Sequence, residues 1–158
     1  MKPLIDDVQV YGLEKSIKAS KYPFAIDPDK ATTEITERTI ALGCADKGSG
    51  HDNFLKGIIV QFDLTCTNKM WVEAERYHFF DIVSSQSTMH RIARFDLAGQ
   101  CSSYVEPVIV EILSKLVEDY KENPTPENYL RLLYSTPSGL RLTARITTNY
   151  QQLKTIYY

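Results

Sequence analysis

The densest group of chemically competent side chains lies between Glu73 and Arg94. It holds Glu73, Glu75, Arg76, Tyr77, His78 and Asp81, then the run Ser84-Ser85-Gln86-Ser87-Thr88, then His90, Arg91 and Arg94. Serine hydroxyls both donate and accept, and a guanidinium offers a planar fork of donors. Together they suit a phosphate or the edge of a nucleotide base. The same residues read equally as a solvated loop with arginines on its surface. A second group is Arg141, Thr143, Arg145 and Thr147, spaced by two. On a strand that spacing puts both arginines on one face. There they either receive an anion or form the wet side of a half-buried sheet.

The remaining reactive types form no motif. His51, His78 and His90 make no HxxxH pair, and no CxxC is present, so no metal is expected. Cys44, Cys66 and Cys101 are widely spaced and odd in number, which fits a reducing cytoplasm better than a disulfide framework. None has a neighbour that would activate it as a nucleophile. Lys47-Gly48-Ser49-Gly50-His51 is a flexible loop without the spacing of a P-loop. Its Gly48-Ser49-Gly50 also lacks the spacing of a nucleophile elbow.

These groups need elements to position them. Val8–Tyr11 reads as a short strand closed by Gly12, and Leu13–Ser20 as a short helix. Tyr22-Pro23-Phe24 and Asp27-Pro28-Asp29 read as loop. A helix is expected from about Thr32 or Thr33, running into a breaker segment from Gly43 to Gly50. The clearest strand is Ile58–Cys66, where Ile58, Val60, Phe62, Leu64 and Cys66 alternate with Ile59, Gln61, Asp63 and Thr65. Thr67 or Asn68 then caps a helix carrying Met70, Trp71, Ala74, Tyr77 and His78 on one face. Asp81–Thr88 is extended. Glu106-Pro107 opens a long helix with an apolar stripe of Ile109, Ile112, Leu113, Leu116, Val117 and Tyr120, ended by Asn123-Pro124. A short helix, Glu127–Tyr134, precedes a second alternating strand from Leu140 to Ile146. A final helix starts near Thr148-Asn149 and is still running at Tyr158, with no glycine to stop it.

The chain has 158 residues, 43% hydrophobic and 24% charged, with a net charge of -2. This is the composition of one soluble globular domain over residues 1–158, either whole or cut short at its C-terminal end. No apolar run approaches the roughly 20 residues of a membrane helix. The start, Met1-Lys2-Pro3-Leu4-Ile5-Asp6-Asp7, is no signal peptide. A pI near 5.9 argues against nucleic acid as a partner, since that needs a dense basic surface.

The order of these features resembles the flavin-dependent thymidylate synthase family (ThyX) from about His51 onward. The carriers are the His51 loop, the strand Ile59-Val60-Gln61-Phe62-Asp63-Leu64, and Glu73-Ala74-Glu75-Arg76-Tyr77-His78. After them come Ser84-Ser85-Gln86-Ser87-Thr88-Met89-His90-Arg91, Pro137-Ser138-Gly139-Leu140, and Ile146-Thr147-Thr148-Asn149-Tyr150-Gln151-Gln152-Leu153. The family's signature is Gln-x-x-Arg-His-Arg, then a stretch with Glu-x-Ser-x-Arg-Tyr. Here Glu73 stands for the glutamine, and Arg76-Tyr77-His78 for Arg-His-Arg. With one extra residue between, Ser85 stands for the glutamate, Ser87 for the serine and Met89-His90 for Arg-Tyr. Arg91 offers a shifted cation, and Gln151 stands where an arginine is usual. The basic residue that the family carries later in the last helix would fall beyond Tyr158.

The resemblance implies an α/β (α+β) fold with a small, mostly antiparallel sheet packed with helices, in a divergent, shortened, phage-like member. It implies a cytoplasmic homo-oligomer, a tetramer with sites between subunits. FAD would be the cofactor, dUMP the substrate, and NADPH and methylenetetrahydrofolate the co-substrates. It assigns flavin contacts to His51, Arg76, His78 and Asn149, and nucleotide contacts to Glu73, Ser85, Ser87 and Arg91, with no catalytic residue named. The missing arginines remove charge-assisted bonds worth about 1.5–3 kcal/mol each. The alternative to an enzyme is therefore a catalytically lapsed oligomer of the same fold that acts as an interaction or structural protein.

Overall fold

The computed structural model describes residues 4–158. In chain order its elements are β1 (Ile5–Tyr11), α1 (Leu13–Ala19), α2 (Glu37–Gly43), β2 (Ile59–Thr67), α3 (Asn68–Ala74), β3 (Asp81–Ser85), α4 (Thr88–Arg91), α5 (Leu97–Gln100), α6 (Pro107–Glu122), α7 (Pro126–Tyr134), β4 (Arg141–Asn149) and α8 (Tyr150–Tyr157), with short 3-10 turns between them. The four strands form one antiparallel sheet in the order β1-β2-β4-β3. Among the described residues no helix is long and apolar enough to cross a membrane.

Local chemistry sets the boundaries. Helix α2 starts later than the sequence suggests, because Thr36 and Thr39 cap it reciprocally, each hydroxyl accepting the other's backbone N–H at 3.3 Å. Ile35 thus precedes the helix instead of packing from it. Helix α3 is shorter than expected: past Ala74 the Arg76 and Tyr77 amides bond three residues back, to Glu73 and Ala74. That tightening unwinds the helix and leaves Tyr77 and His78 outside it. The stripe of α6 is also narrower than read, since Leu113, Leu116 and Val117 are buried while Ile112 is 50% exposed. Tyr22–Phe24 and Pro28–Lys30, read as loop, each close into a single 3-10 turn.

The chain divides into two compact units. One contains residues 63–146 with the described residues up to Asp6. Its core is Ile92, Leu97, Cys101, Leu113, Leu116, Val117, Leu132 and Leu140, where α6 and α7 pack with the short α4–α5 region. Each fully buried aliphatic side chain there contributes about 1.5–3 kcal/mol. The other unit contains residues 7–62 and 147–158, with Ile17, Ile58, Val60 and Phe62 buried. In this unit Gly12 has φ +74, and a Cβ there would lie 2.5 Å from the Gly57 carbonyl oxygen, so glycine alone fits the turn from β1 into α1.

Strand β2 alternates as read, with Val60, Phe62, Leu64 and Cys66 buried and the residues between them half-buried. Its register with β4 is visible in three side-chain pairs. Gln61 donates to Thr147 at 3.1 Å, Arg145 pairs with Asp63 at 3.1 Å, and the hydroxyls of Thr65 and Thr143 meet at 2.8 Å. The face carrying Arg141, Thr143, Arg145 and Thr147 is half-buried, opposite the buried Ala144, Ile146 and Thr148, and on it Asp63 takes up Arg145.

Two expectations follow. Burial pushes the Cys66 thiol up to about 11 and raises Cys101 too, whereas Cys44 is exposed. Ellman's reagent at neutral pH should titrate Cys44 in the native protein and the other two thiols only after denaturation. The Thr148 hydroxyl is buried without a hydrogen-bond partner. Replacing it with the isosteric valine should raise the unfolding midpoint by relieving a desolvation cost of about 1–3 kcal/mol.

Candidate functional site

Helix α3 begins where the Thr67 hydroxyl accepts the Met70 amide at 3.3 Å. From there the helical period puts Asn68, Trp71, Val72 and Glu75 on one face. These four, with Ile82 and Ser85 of β3, Thr88 and Leu142, line a cleft of about 350 Å³. Trp71 is buried, and its indole N–H donates to the Leu142 carbonyl at 3.3 Å, which holds the ring as one wall. The polar groups on the cleft are thus a carboxylate, an amide and two hydroxyls. Glu73 lies on another side of α3, where it pairs with Lys69 at 3.4 Å in solvent. The i, i+3, i+4, i+7 spacing from Asn68 was the available signal for Glu75, and the early end of the helix obscured it.

Arg76 and His78 follow α3, both exposed. Arg76 makes no ion pair among the described residues. Between them Tyr77 sets its ring edge-to-face against Phe79 and Phe80, with centroids 5.6 and 5.4 Å apart. Ser87 occupies the N-cap position of α4, yet its hydroxyl bonds to the His90 ring nitrogen Nδ1 at 2.8 Å instead of capping the helix. Arg91, exposed, closes the same short helix. The segment is held from below by Tyr129, whose hydroxyl donates to the Met89 carbonyl at 2.6 Å. Burial, reinforced by the neighbouring phenol of Tyr120 and opposed by Arg91, raises the Tyr129 hydroxyl above its ordinary value, so it stays a donor.

His51 and Asn149 belong to the other unit. His51 is exposed, and its backbone N–H donates to the Ser49 hydroxyl at 3.3 Å. Asn149 caps α8, its side-chain oxygen accepting the Gln152 amide at 3.1 Å. Beside His51 stands a group that residue types alone did not single out. Asp52 is only 3% exposed, pairs with Lys154 at 2.9 Å and accepts from the Gln151 amide at 2.9 Å. Lys154 also donates to the Ala45 carbonyl. The position where the resemblance expects an arginine, Gln151, is therefore spent on bracing a buried carboxylate. Among the described residues no cluster of three or more histidine, cysteine or acidic side chains is arranged to hold a metal.

Burial acts to raise the Asp52 carboxyl, but hydrogen bonds from Lys154 and Gln151 and the lysine's charge outweigh it and hold it below the usual range. A depressed carboxyl contributes stability above its unfolded value, near 3.9, and loses it as pH falls through the folded value. Acid titration of unfolding should therefore lose stability only below about pH 4, and Asp52→Asn should flatten that limb. Lys154→Met, which strands the buried carboxylate, should cost about 3–5 kcal/mol at neutral pH in denaturant titration.

No protein-family model matches the chain, and no curated protein matches it in sequence. Solved structures do match it. A thymidylate synthase X (ThyX) from Helicobacter pylori, crystallised with FAD and dUMP, superposes with a TM-score of 0.67 at 9% identity, over 96% of this chain and 80% of that one. A second structure of the Helicobacter pylori enzyme, complexed with FAD and dUMP, gives a TM-score of 0.69 at 10% identity, over 97% and 82%. A UMP/dUMP methylase, PolB from Streptomyces cacaoi, bound with 5-Br dUMP, gives 0.56 at 12% identity, over 94% and 76%. The chain thus has the α+β fold of the flavin-dependent thymidylate synthases.

Proposed function

We propose that this protein binds FAD and dUMP, and acts in flavin- and dUMP-dependent thymidylate synthesis or retains the flavin and nucleotide binding of that fold. The observation that carries the reading is a shared fold over 96% of the chain with a protein crystallised with both ligands. The residues present suit such groups in their donor chemistry. Arg76 is exposed, without an acid partner among the described residues, and Ser85 lines the cleft beside α3. Arg76 and His78 would hold flavin phosphates or ring oxygens, and the resemblance also assigns flavin contacts to His51 and Asn149. Ser85, Ser87 and Arg91 would hold the nucleotide, whereas Glu73, to which the resemblance also assigns a nucleotide contact, lies on another side of α3 with Lys69. When bound, reduced flavin supplies the hydride, with NADPH and methylenetetrahydrofolate as co-substrates. The chain's own side chains bind and orient by charge-assisted bonds.

A second reading, an oligomer that acts through protein contacts, draws on one feature. Ile109 and Ile112 of α6 and Leu130 and Tyr134 of α7 are large apolar side chains left exposed on adjoining helices. Such a patch suits a further copy of the chain, in the tetramer that the resemblance implies.

Flavin titration of the purified protein separates the two. The first reading expects a yellow complex, dUMP affinity weakened about tenfold or more by Arg91→Ala or Ser87→Ala, and FAD affinity weakened similarly by Arg76→Ala. Tritium release from 5-labelled dUMP, with both co-substrates present, extends it to full synthesis. Absence of FAD and dUMP affinity in folded protein overturns it. Light scattering should then give an oligomer that Ile112→Glu with Leu130→Glu dissociates, and a monomer would dismiss the second reading.

A further inference from the structure

A cleft of about 400 Å³ lies in the unit formed around residues 63–146, lined by Thr65, Gln86, Asp96, Gly99, Gln100, Arg141 and Thr143. The two arginines of β4 have different fates. Arg145 is neutralised by Asp63 at 3.1 Å. Arg141, half-buried, makes no ion pair among the described residues, although Asp96 lines the same cleft. Two opposite charges thus share one cavity without bonding to each other.

The groups around them are held by the framework. Gln86 continues the β3–β4 ladder with both its parts: its backbone N–H donates to the Thr143 carbonyl at 2.9 Å, and its side-chain oxygen accepts the Thr143 N–H at 2.9 Å. Its NH2 is left over. The Gln100 NH2 donates to the Arg141 carbonyl at 3.1 Å, which leaves its oxygen over. Asp96 accepts the Gly99 N–H through one oxygen at 3.0 Å, keeping the other. A site whose polar groups are oriented in advance loses little entropy on binding. A half-withdrawn guanidinium without a counterion also gains from an oxyanion, which it can take up bidentately. Asp96 makes a bare anion a poor occupant, because its own charge repels one. A molecule with a carboxylate at one end and an ammonium beside it satisfies both charges at once.

We propose that this cleft binds the zwitterionic head of an α-amino acid, its carboxylate on Arg141 and its ammonium on Asp96, with Gln86 and Gln100 donating and accepting beside them. None of its lining residues is among those assigned above to flavin and nucleotide, although Gln86 lies between Ser85 and Ser87, and the inference does not rest on that assignment.

The test is an NMR titration of the full chain with the standard L-amino acids, following the Gln86 and Gln100 side-chain amides and the Gly99 and Thr143 backbone amides. At least one amino acid should shift these resonances saturably at millimolar or lower concentration. Acetate, which lacks the ammonium, and ethylammonium, which lacks the carboxylate, should not. Arg141→Gln and Asp96→Asn should each weaken binding about tenfold or more. Asparagine still caps α5, so fold is preserved in the second variant, and a thermal melt checks the first. Saturation by acetate as strong as by any amino acid, or affinity unchanged in a folded Arg141→Gln variant, overturns the proposal. So does the absence of any saturable shift across the series.

Discussion

Antiparallel pairing of β2 with β4 is the constraint on which the arrangement rests. Its register sets Gln61 against Thr147, Asp63 against Arg145 and Thr65 against Thr143. A slip of one residue would carry the buried Val60, Phe62, Leu64 and Cys66 to the wet side, so the apolar alternation enforces the register. The polar pairs then follow geometrically. They add modest energy, since half-exposed bonds of this kind contribute about 0.2–1 kcal/mol each. Their larger consequence is chemical: the register uses up Arg145 and leaves Arg141 beyond the last pair.

Charge placement repeats that division elsewhere. Asp52 is buried and fully braced by Lys154 and Gln151, a partnership that serves the packing of α8 against the His51 loop. Arg76 and Arg91 are instead exposed, and no acid of the described residues pairs with them. Unpaired cations can take up an anion, whereas paired ones are already satisfied. Which basic residues stay unpaired among the described residues is therefore decided by where carboxylates fall in three dimensions.

Much of the fold was legible beforehand because its elements carry strong local signals. Strand β2 has strict alternation, α6 has proline at its first turn, and Asn149 marks the start of α8 as its cap. The errors sit at termini governed by short-range competition. The Thr36–Thr39 box moved the start of α2, and a change to tighter bonds ended α3 before Tyr77. The candidate site was legible only in part. Glu75, Ser85, Gln86 and the arginines stood out by type, but Asn68 enters the cleft beside α3 only through the helical period, and Gln86 lines the other cleft through a side chain that imitates a strand.

By itself the sequence determined the periods, the caps, the buried face of the sheet and the order of features that resembles a known fold. These depend on residues near one another in the chain, where steric and hydrophobic preferences act directly. Only the tertiary structure decided which of two arginines on one strand face is neutralised, which carboxylate is buried, and which polar groups share a cleft. Such outcomes depend on contacts spanning 82 residues for Arg145 and Asp63 and 102 for Lys154 and Asp52, separations over which chain-local patterns carry no information.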